Sequence, residues 1–210
     1  MLSEYDNLFT IIVIGDSYTG KSSLIYRMCN NNFEMKKTQT TIGIDILFKY
    51  LKIDENIIKI RVYDTAGNEN FKSIQETCYK SIDGVVVIYD NTNIQSQLNV
   101  KKWITNIKKH IQDIPIVILG NKIDSQNDNW IQDKNMSISK YIPKDIEHFF
   151  VSAKSGYNID NFVTKLTLMI LDNKSIKRKI KFVNIYESKS CKNIILTNEV
   201  QSSIVNNCYY

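Results

Sequence analysis

Short runs of β-branched and aromatic residues alternate along the chain with stretches whose apolar positions recur every three or four residues. Thr10–Ile14, Ile57–Tyr63, Gly84–Tyr89, Ile114–Leu119 and His148–Val151 are bounded by turn residues and predict buried strands. Lys21–Asn30 follows the first of them as an amphipathic stretch. Ile94–Ile111 carries Leu98, Trp103, Ile104, Ile107 and Ile111 at helical spacing, and Ile159–Leu171 does the same with Phe162, Val163, Leu166, Met169 and Ile170. Strands alternating with helices imply an α/β fold whose six-stranded, mostly parallel sheet has helices on both faces. Ile42–Ile53, joined to Ile57–Tyr63 by the turn Asp54-Glu-Asn-Ile, predicts an antiparallel hairpin at one edge. Pro143 leaves 137–147 an ambiguous helical segment. After Asp172 the apolar period fades into Lys, Ser and Asn, so a single domain over 1–172 and a flexible extension over 173–210 are expected.

Composition narrows the class. At 43% hydrophobic the 210 residues can bury a core, and Cys29, Cys78, Cys191 and Cys208 are too scattered for a disulfide framework or a paired-cysteine zinc site. No apolar run approaches the ~18 residues of a membrane span, and the acidic start does not read as a signal peptide. A soluble, reduced, cytoplasmic protein is expected. Its charge is unevenly placed. Residues 1–172 carry 20 basic and 20 acidic side chains, so the whole net charge of +5 lies in 173–210. A neutral body argues against a nucleic-acid partner, whereas the basic tail suits an anionic surface.

The first strand and the first helix enclose Gly15-Asp16-Ser17-Tyr18-Thr19-Gly20-Lys21-Ser22, which fits G-x-x-x-x-G-K-[ST] in the strand-to-helix context that the motif requires. Its glycines allow a tight turn whose N–H groups point inward at phosphate oxygens, and the following helix, with Ser23 in its first turn, adds the positive end of its dipole. Lys21 would reach the β- and γ-phosphates, and Ser22 would place its hydroxyl on Mg²⁺.

Three further segments narrow the nucleotide. Asp64-Thr-Ala-Gly67 ends a strand, where the Asp64 carboxylate can hold Mg²⁺ through water and the Gly67 N–H can sense a γ-phosphate. Asn121-Lys122-Ile-Asp124 follows another strand, and a carboxylate there can accept from both N1–H and the 2-amino group of guanine. Adenine offers neither donor and would strand a polar group, a strong form of discrimination. Ser152-Ala153-Lys154 ends the last strand, where the Ala153 N–H can bond guanine O6. All four segments in this order, each at a strand's carboxyl end, point to GTP or GDP with Mg²⁺.

Together GDSYTGKS, TIG, DTAG, NKID and SAK resemble the small Ras-like GTPases, and the Rab branch most of all: TTIGIDI resembles TIGVDF, DTAGNENFKSI resembles DTAGQERFRSI, and YDNTN resembles YDVTN. Trp103 also sits where Rab proteins often place tryptophan. The resemblance covers residues 8–172 and implies a P-loop G domain acting as a monomeric GTP/GDP switch in vesicle traffic. It further implies an exchange factor, a GTPase-activating protein and effectors as partners. Carried over with it, Thr41 would bind Mg²⁺ only in the GTP state within a first switch near 33–44, residues 65–79 would form a second switch, and Phe33 would stack on guanine. Lys21, Gly67, Thr41 and the residue at 68 would serve hydrolysis.

Several positions depart from the family. Asn68 stands in place of the glutamine that orients the attacking water and loses one methylene, roughly 1.5 Å of reach, which predicts slow hydrolysis. Tyr18 fills a place usually held by a small residue. Ile46, Tyr63 and Cys78 replace a phenylalanine, a tryptophan and a tyrosine of the effector surface, so either the partners differ or the core is repacked. Cys208 is third from the end, outside a C-a-a-X box but a candidate for prenylation. One lipid anchors weakly, and Lys174, Lys177, Arg178, Lys179 and Lys181 would add about 1 kcal/mol each near an anionic leaflet. A peripheral place on the cytosolic face of an endomembrane follows. Two rivals are a GTP-locked scaffold with negligible turnover and a P-loop nucleotide kinase. Three arginines in the whole chain disfavour the kinase.

Overall fold

In a computed structural model, residues 5–33, 44–65, 81–111, 113–125, 143 and 145–174 are described. Within them the expected order of elements is present: β1 (Asn7–Ile14), α1 (Lys21–Asn30), β2 (Ile44–Ile53), β3 (Asn56–Thr65), β4 (Gly84–Asp90), α2 (Ile94–His110), β5 (Ile116–Asn121), β6 (Glu147–Phe150) and α3 (Ile159–Asn173). The strands form one six-stranded sheet in the order β2-β3-β1-β4-β5-β6. The β2–β3 pair is antiparallel and the other neighbours are parallel. The central strands β4 and β5 are buried along their whole length, as unbroken Val/Ile runs covered on both sides must be.

Alternation of side chains divides the core. Ile11 and Val13 face Leu24, Ile25 and Met28 of α1 and Phe162, Val163, Leu166 and Ile170 of α3. Ile12 and Ile14 face the other way, toward Val100, Ile104 and Ile107 of α2. One face thus carries α1 and α3 and the other α2, and the period of two along β1 feeds both. α3 runs to Asn173, and Lys174 pairs with Asp83 at 2.7 Å. The tail from residue 175 lies outside the described residues.

Boundaries moved where a backbone donor decided them. β5 begins at Ile116 rather than Ile114 because Pro115 has no N–H for the ladder; its carbonyl instead accepts from the Val85 N–H at 2.9 Å. The hairpin is tighter than the four-residue turn expected. Ile53 pairs with Asn56, and Asp54 takes a left-handed φ of 53°. β6 spans Glu147–Phe150, one residue earlier than expected. Of the ambiguous segment, Pro143 and Ile146 close a turn through the Ile146 N–H at 3.1 Å; the remainder before residue 145 lies outside the described residues.

Across β4 and β6, the hydroxyl of the fully buried Tyr89 is hydrogen-bonded to His148 Nε2 at 3.1 Å, with the rings stacked. Gly120 makes room between them, since a Cβ there would lie 2.4 Å from the Tyr89 Oη. Burial pushes the His148 imidazole down from 6.5 to about 4. The unfolded chain therefore binds a proton here below pH 6.5 that the folded chain refuses until about pH 4. Stability is whole above that window and falls by up to about 3 kcal/mol across it. His148→Gln should flatten the dependence of the urea midpoint on pH between 6.5 and 4, and an unchanged slope would assign the acid sensitivity elsewhere.

Candidate nucleotide site

Every described segment singled out from the sequence reaches the carboxyl edge of the parallel strands, on either side of β1. The loop 15–20 leaves β1 and turns into α1. At Gly15 (φ 149°) an added Cβ would fall 2.0 Å from the Ile88 carbonyl oxygen, so β4 excludes any side chain. At Gly20 (φ 91°) it would fall 2.5 Å from the Asn121 amide nitrogen. Gly20 caps α1 without any side-chain hydrogen bond, so the helix's first N–H groups are not claimed by a capping side chain. Ser22 and Ser23 stand in that first turn.

Lys21 is buried, and its ammonium donates to the carbonyls of Gly15 (3.1 Å) and Asp16 (2.8 Å). Burial lowers its pKa to about 8, against the pull of Asp64 and Asp16, which raise it. Asp64, itself buried at the end of β3, is thus close enough to feel that charge. Thr19 closes the turn by donating its hydroxyl to the Asp16 carbonyl at 2.9 Å.

Two residues of α2 hold the loop from outside. Asn99 donates to one oxygen of the Asp16 carboxylate and the Trp103 indole N–H to the other, each at 2.7 Å. The sequence does not single out Asn99, and it marks Trp103 only as an apolar position of the helix and through the resemblance. Their i, i+4 spacing on one helix was the available signal, but nothing in the sequence paired it with Asp16.

The second half of the site hangs from β5. Asn121, its last residue, is buried and donates its amide to the Thr19 carbonyl at 2.9 Å, while its side-chain oxygen accepts the Ala153 N–H at 3.0 Å. Lys122 (φ 66°) donates to both the Tyr18 carbonyl and the Asp90 carboxylate at 2.7 Å. Burial alone would raise the Asp90 carboxyl, but hydrogen bonds from Lys122 and Thr92 outweigh it and hold the pKa low. Asp90 is a site residue that sequence reading missed. Asp124 accepts from the Ser152 hydroxyl at 2.5 Å, and its other oxygen lies 4.0 Å from the Lys154 ammonium. Ser152 also accepts the Ser155 N–H at 3.0 Å, fixing its lone pairs.

Tyr18 has φ 64°, a strained conformation for a bulky residue, and its ring is 70% exposed. The ring points outward, and the carbonyl is the part that the site holds. Phe33 packs its ring against the core face shared by α1 and α3. Ile46 and Tyr63 are cross-strand partners; Ile46 is 49% exposed, whereas Tyr63 packs partly against the α2-side core. Thr41, Gly67, Asn68 and Cys78 lie outside the described residues.

Comparison with known proteins agrees with this arrangement. The family model for the Ras family matches residues 10–172. Human Ras-related protein Rab-8B is 35% identical over 184 residues, covering 83% of this chain and 88% of the relative. The chain belongs to the Ras family, on its Rab branch. Ras-related protein Rab-13 of Bos taurus is similar at 36% over 182 residues (86% of this chain, 88% of the relative), and Ras-related protein Rab-1 of Theileria parva at 34% over 175 (81% and 78%). As a Rab-family chain this is a small GTPase. Among the described residues no helix is long and apolar enough to cross a membrane.

Proposed function

We propose that this Rab-family chain is a switch that binds GTP and GDP with Mg²⁺, hydrolyses GTP slowly, and regulates vesicle traffic from the cytosolic face of an endomembrane. The observation that carries the reading is the pair of hydrogen bonds made by the Asn121 amide. One amide ties the loop suited to phosphates (Thr19) to the loop suited to a base (Ala153). A ligand gripped by both needs a phosphate chain and a purine with donors for Asp124. The Ala153 N–H is held by Asn121, so guanine O6 would share that hydrogen or take the next N–H, that of Lys154.

The Ser22 hydroxyl and the buried Asp64 carboxylate are oxygen donors that suit a hard divalent cation, and the Thr41 hydroxyl would join them. Mg²⁺, when bound there, neutralises charge on the β- and γ-phosphates. Lys21 would add its own positive charge to those oxygens, and the Gly67 N–H would bond the γ-phosphate. The oxygen of water forms a bond to the γ-phosphorus as the bond to the bridging oxygen breaks. The electron pair leaves with GDP, and the protons of water pass to phosphate and solvent. Asn68 orients that water from a shorter side chain than glutamine, which makes unassisted turnover slow. An exchange factor, an activating protein and effectors would act on a monomer. The basic tail and Cys208 would hold it to the membrane.

Purified full-length chain supplied with Mg²⁺ should bind GDP and GTP at least 100-fold more tightly than ADP and ATP, and equal affinity for ATP would end the reading. In single-turnover assays, Asn68→Gln should raise hydrolysis about tenfold. A parent that stays inert even with an activating protein would favour a GTP-locked scaffold.

A further inference from the structure

The helix that begins at the phosphate loop also reaches the loop suited to the base. Arg27, two turns along α1, donates from Nε to the Ala153 carbonyl at 2.9 Å and from Nη2 to the Lys154 carbonyl, spanning more than a hundred residues of sequence. Nη1 turns back to the Asn31 carbonyl at the end of its own helix, 3.3 Å away. The guanidinium also lies against Gly156, whose φ of 86° lets the loop turn beside it. One planar fork therefore holds two successive carbonyls, a task suited to arginine and not to a point-charge lysine.

A peptide unit turns as a rigid plane, and a trans unit directs its C=O and its N–H to opposite sides. Fixing the Ala153 carbonyl toward α1 therefore aims the Lys154 N–H away from α1. The neighbouring Ala153 N–H is aimed by Asn121, and the Ser155 N–H is spent on Ser152. Arg27 on one side and Asn121 on the other thus orient the two N–H groups at 153 and 154. Nothing in the hydrolysis scheme uses Arg27.

We infer that Arg27 is a positioning residue for purine recognition: by holding the Ala153 and Lys154 carbonyls it presents the Lys154 N–H, next to the Ala153 N–H that Asn121 holds, to the 6-oxo group of the base. The inference rests on the proposed guanine-nucleotide function. It makes a residue on the phosphate-binding helix the support of the 6-oxo contact, and not of the phosphate contact.

The test uses full-length chain with Mg²⁺ and three diphosphates. GDP carries the 6-oxo and 2-amino groups, IDP keeps only the 6-oxo, and the 2-aminopurine riboside diphosphate keeps only the amino. Arg27→Met should weaken GDP and IDP about tenfold each and change the 2-aminopurine nucleotide by less than twofold. Arg27→Lys should fall between parent and Arg27→Met. Because the ratio of two affinities is independent of the fraction folded, partial unfolding of either variant does not mask the result. An equal loss on all three ligands would make Arg27 merely structural, and no loss on any would remove it from the site; either overturns the inference. A parent that does not prefer GDP to ADP would instead overturn the function on which the inference stands.

Discussion

Asp124→Asn should move the base preference of this chain from guanine to xanthine. Guanine presents two adjacent donors, N1–H and the 2-amino group, and a carboxylate meets both with acceptors. Asp124 is set for this, with one oxygen receiving the Ser152 hydroxyl and the other 4.0 Å from the Lys154 ammonium. An asparagine there keeps one acceptor and turns the other into a donor, which would face the 2-amino group of guanine. Xanthine has a carbonyl at that place and accepts. A stranded donor in a partly buried site costs as much as several ordinary hydrogen bonds contribute. GDP should bind about 10²-fold or more weakly to the variant, while XDP gains and overtakes it. Competition against a fluorescent nucleotide measures both, and a variant that still prefers GDP would remove Asp124 from the base site.

Lys21→Met should separate the stability of the empty protein from its ability to hold phosphate. The Lys21 ammonium is buried, its pKa is lowered to about 8 by that burial, and the Gly15 and Asp16 carbonyls accept its hydrogen bonds. The lowered pKa means that the fold holds this charge at a cost. Methionine keeps the apolar stem, so the nucleotide-free melting temperature should stay the same or rise. Nucleotide affinity should fall about 10²- to 10³-fold, since a charged donor facing the β- and γ-phosphates is lost. Melting with and without GDP and Mg²⁺ reads both effects. A variant that melts early yet keeps the full nucleotide-induced shift would make Lys21 a structural residue only.

The contrast between these two positions and Arg27 marks how far the sequence can be read. Lys21 and Asp124 sit in short contiguous motifs whose chemistry is local: a glycine turn between a strand and a helix, and a carboxylate three residues after an amide. Both were therefore visible in the primary structure. So were α1, whose predicted bounds were met residue for residue, and the covering of the sheet by helices on both faces. Lys49 shows the opposite. It stands between Leu47 and Leu51 on the core side of β2, almost fully buried, and burial lowers its pKa while Asp160 of α3 pulls the other way. The period of two along β2 sets position 49 on the same side as Leu47 and Leu51, but nothing local names Asp160 as the charge that faces it.

By itself, then, the order of residues determined which segments are strands and helices, which faces are apolar, and which short motifs could meet phosphate and guanine, because all of these depend on neighbours within a few positions. Only the tertiary structure decided that Trp103 and Asn99 close on Asp16, that Lys122 bridges Tyr18 and Asp90, and that Arg27 grips the loop at 153–154. Those contacts join residues from 32 to 127 positions apart. They exist because β4 and β5 lie side by side next to β1, an adjacency set by how the apolar faces pack in three dimensions and not written in any local pattern.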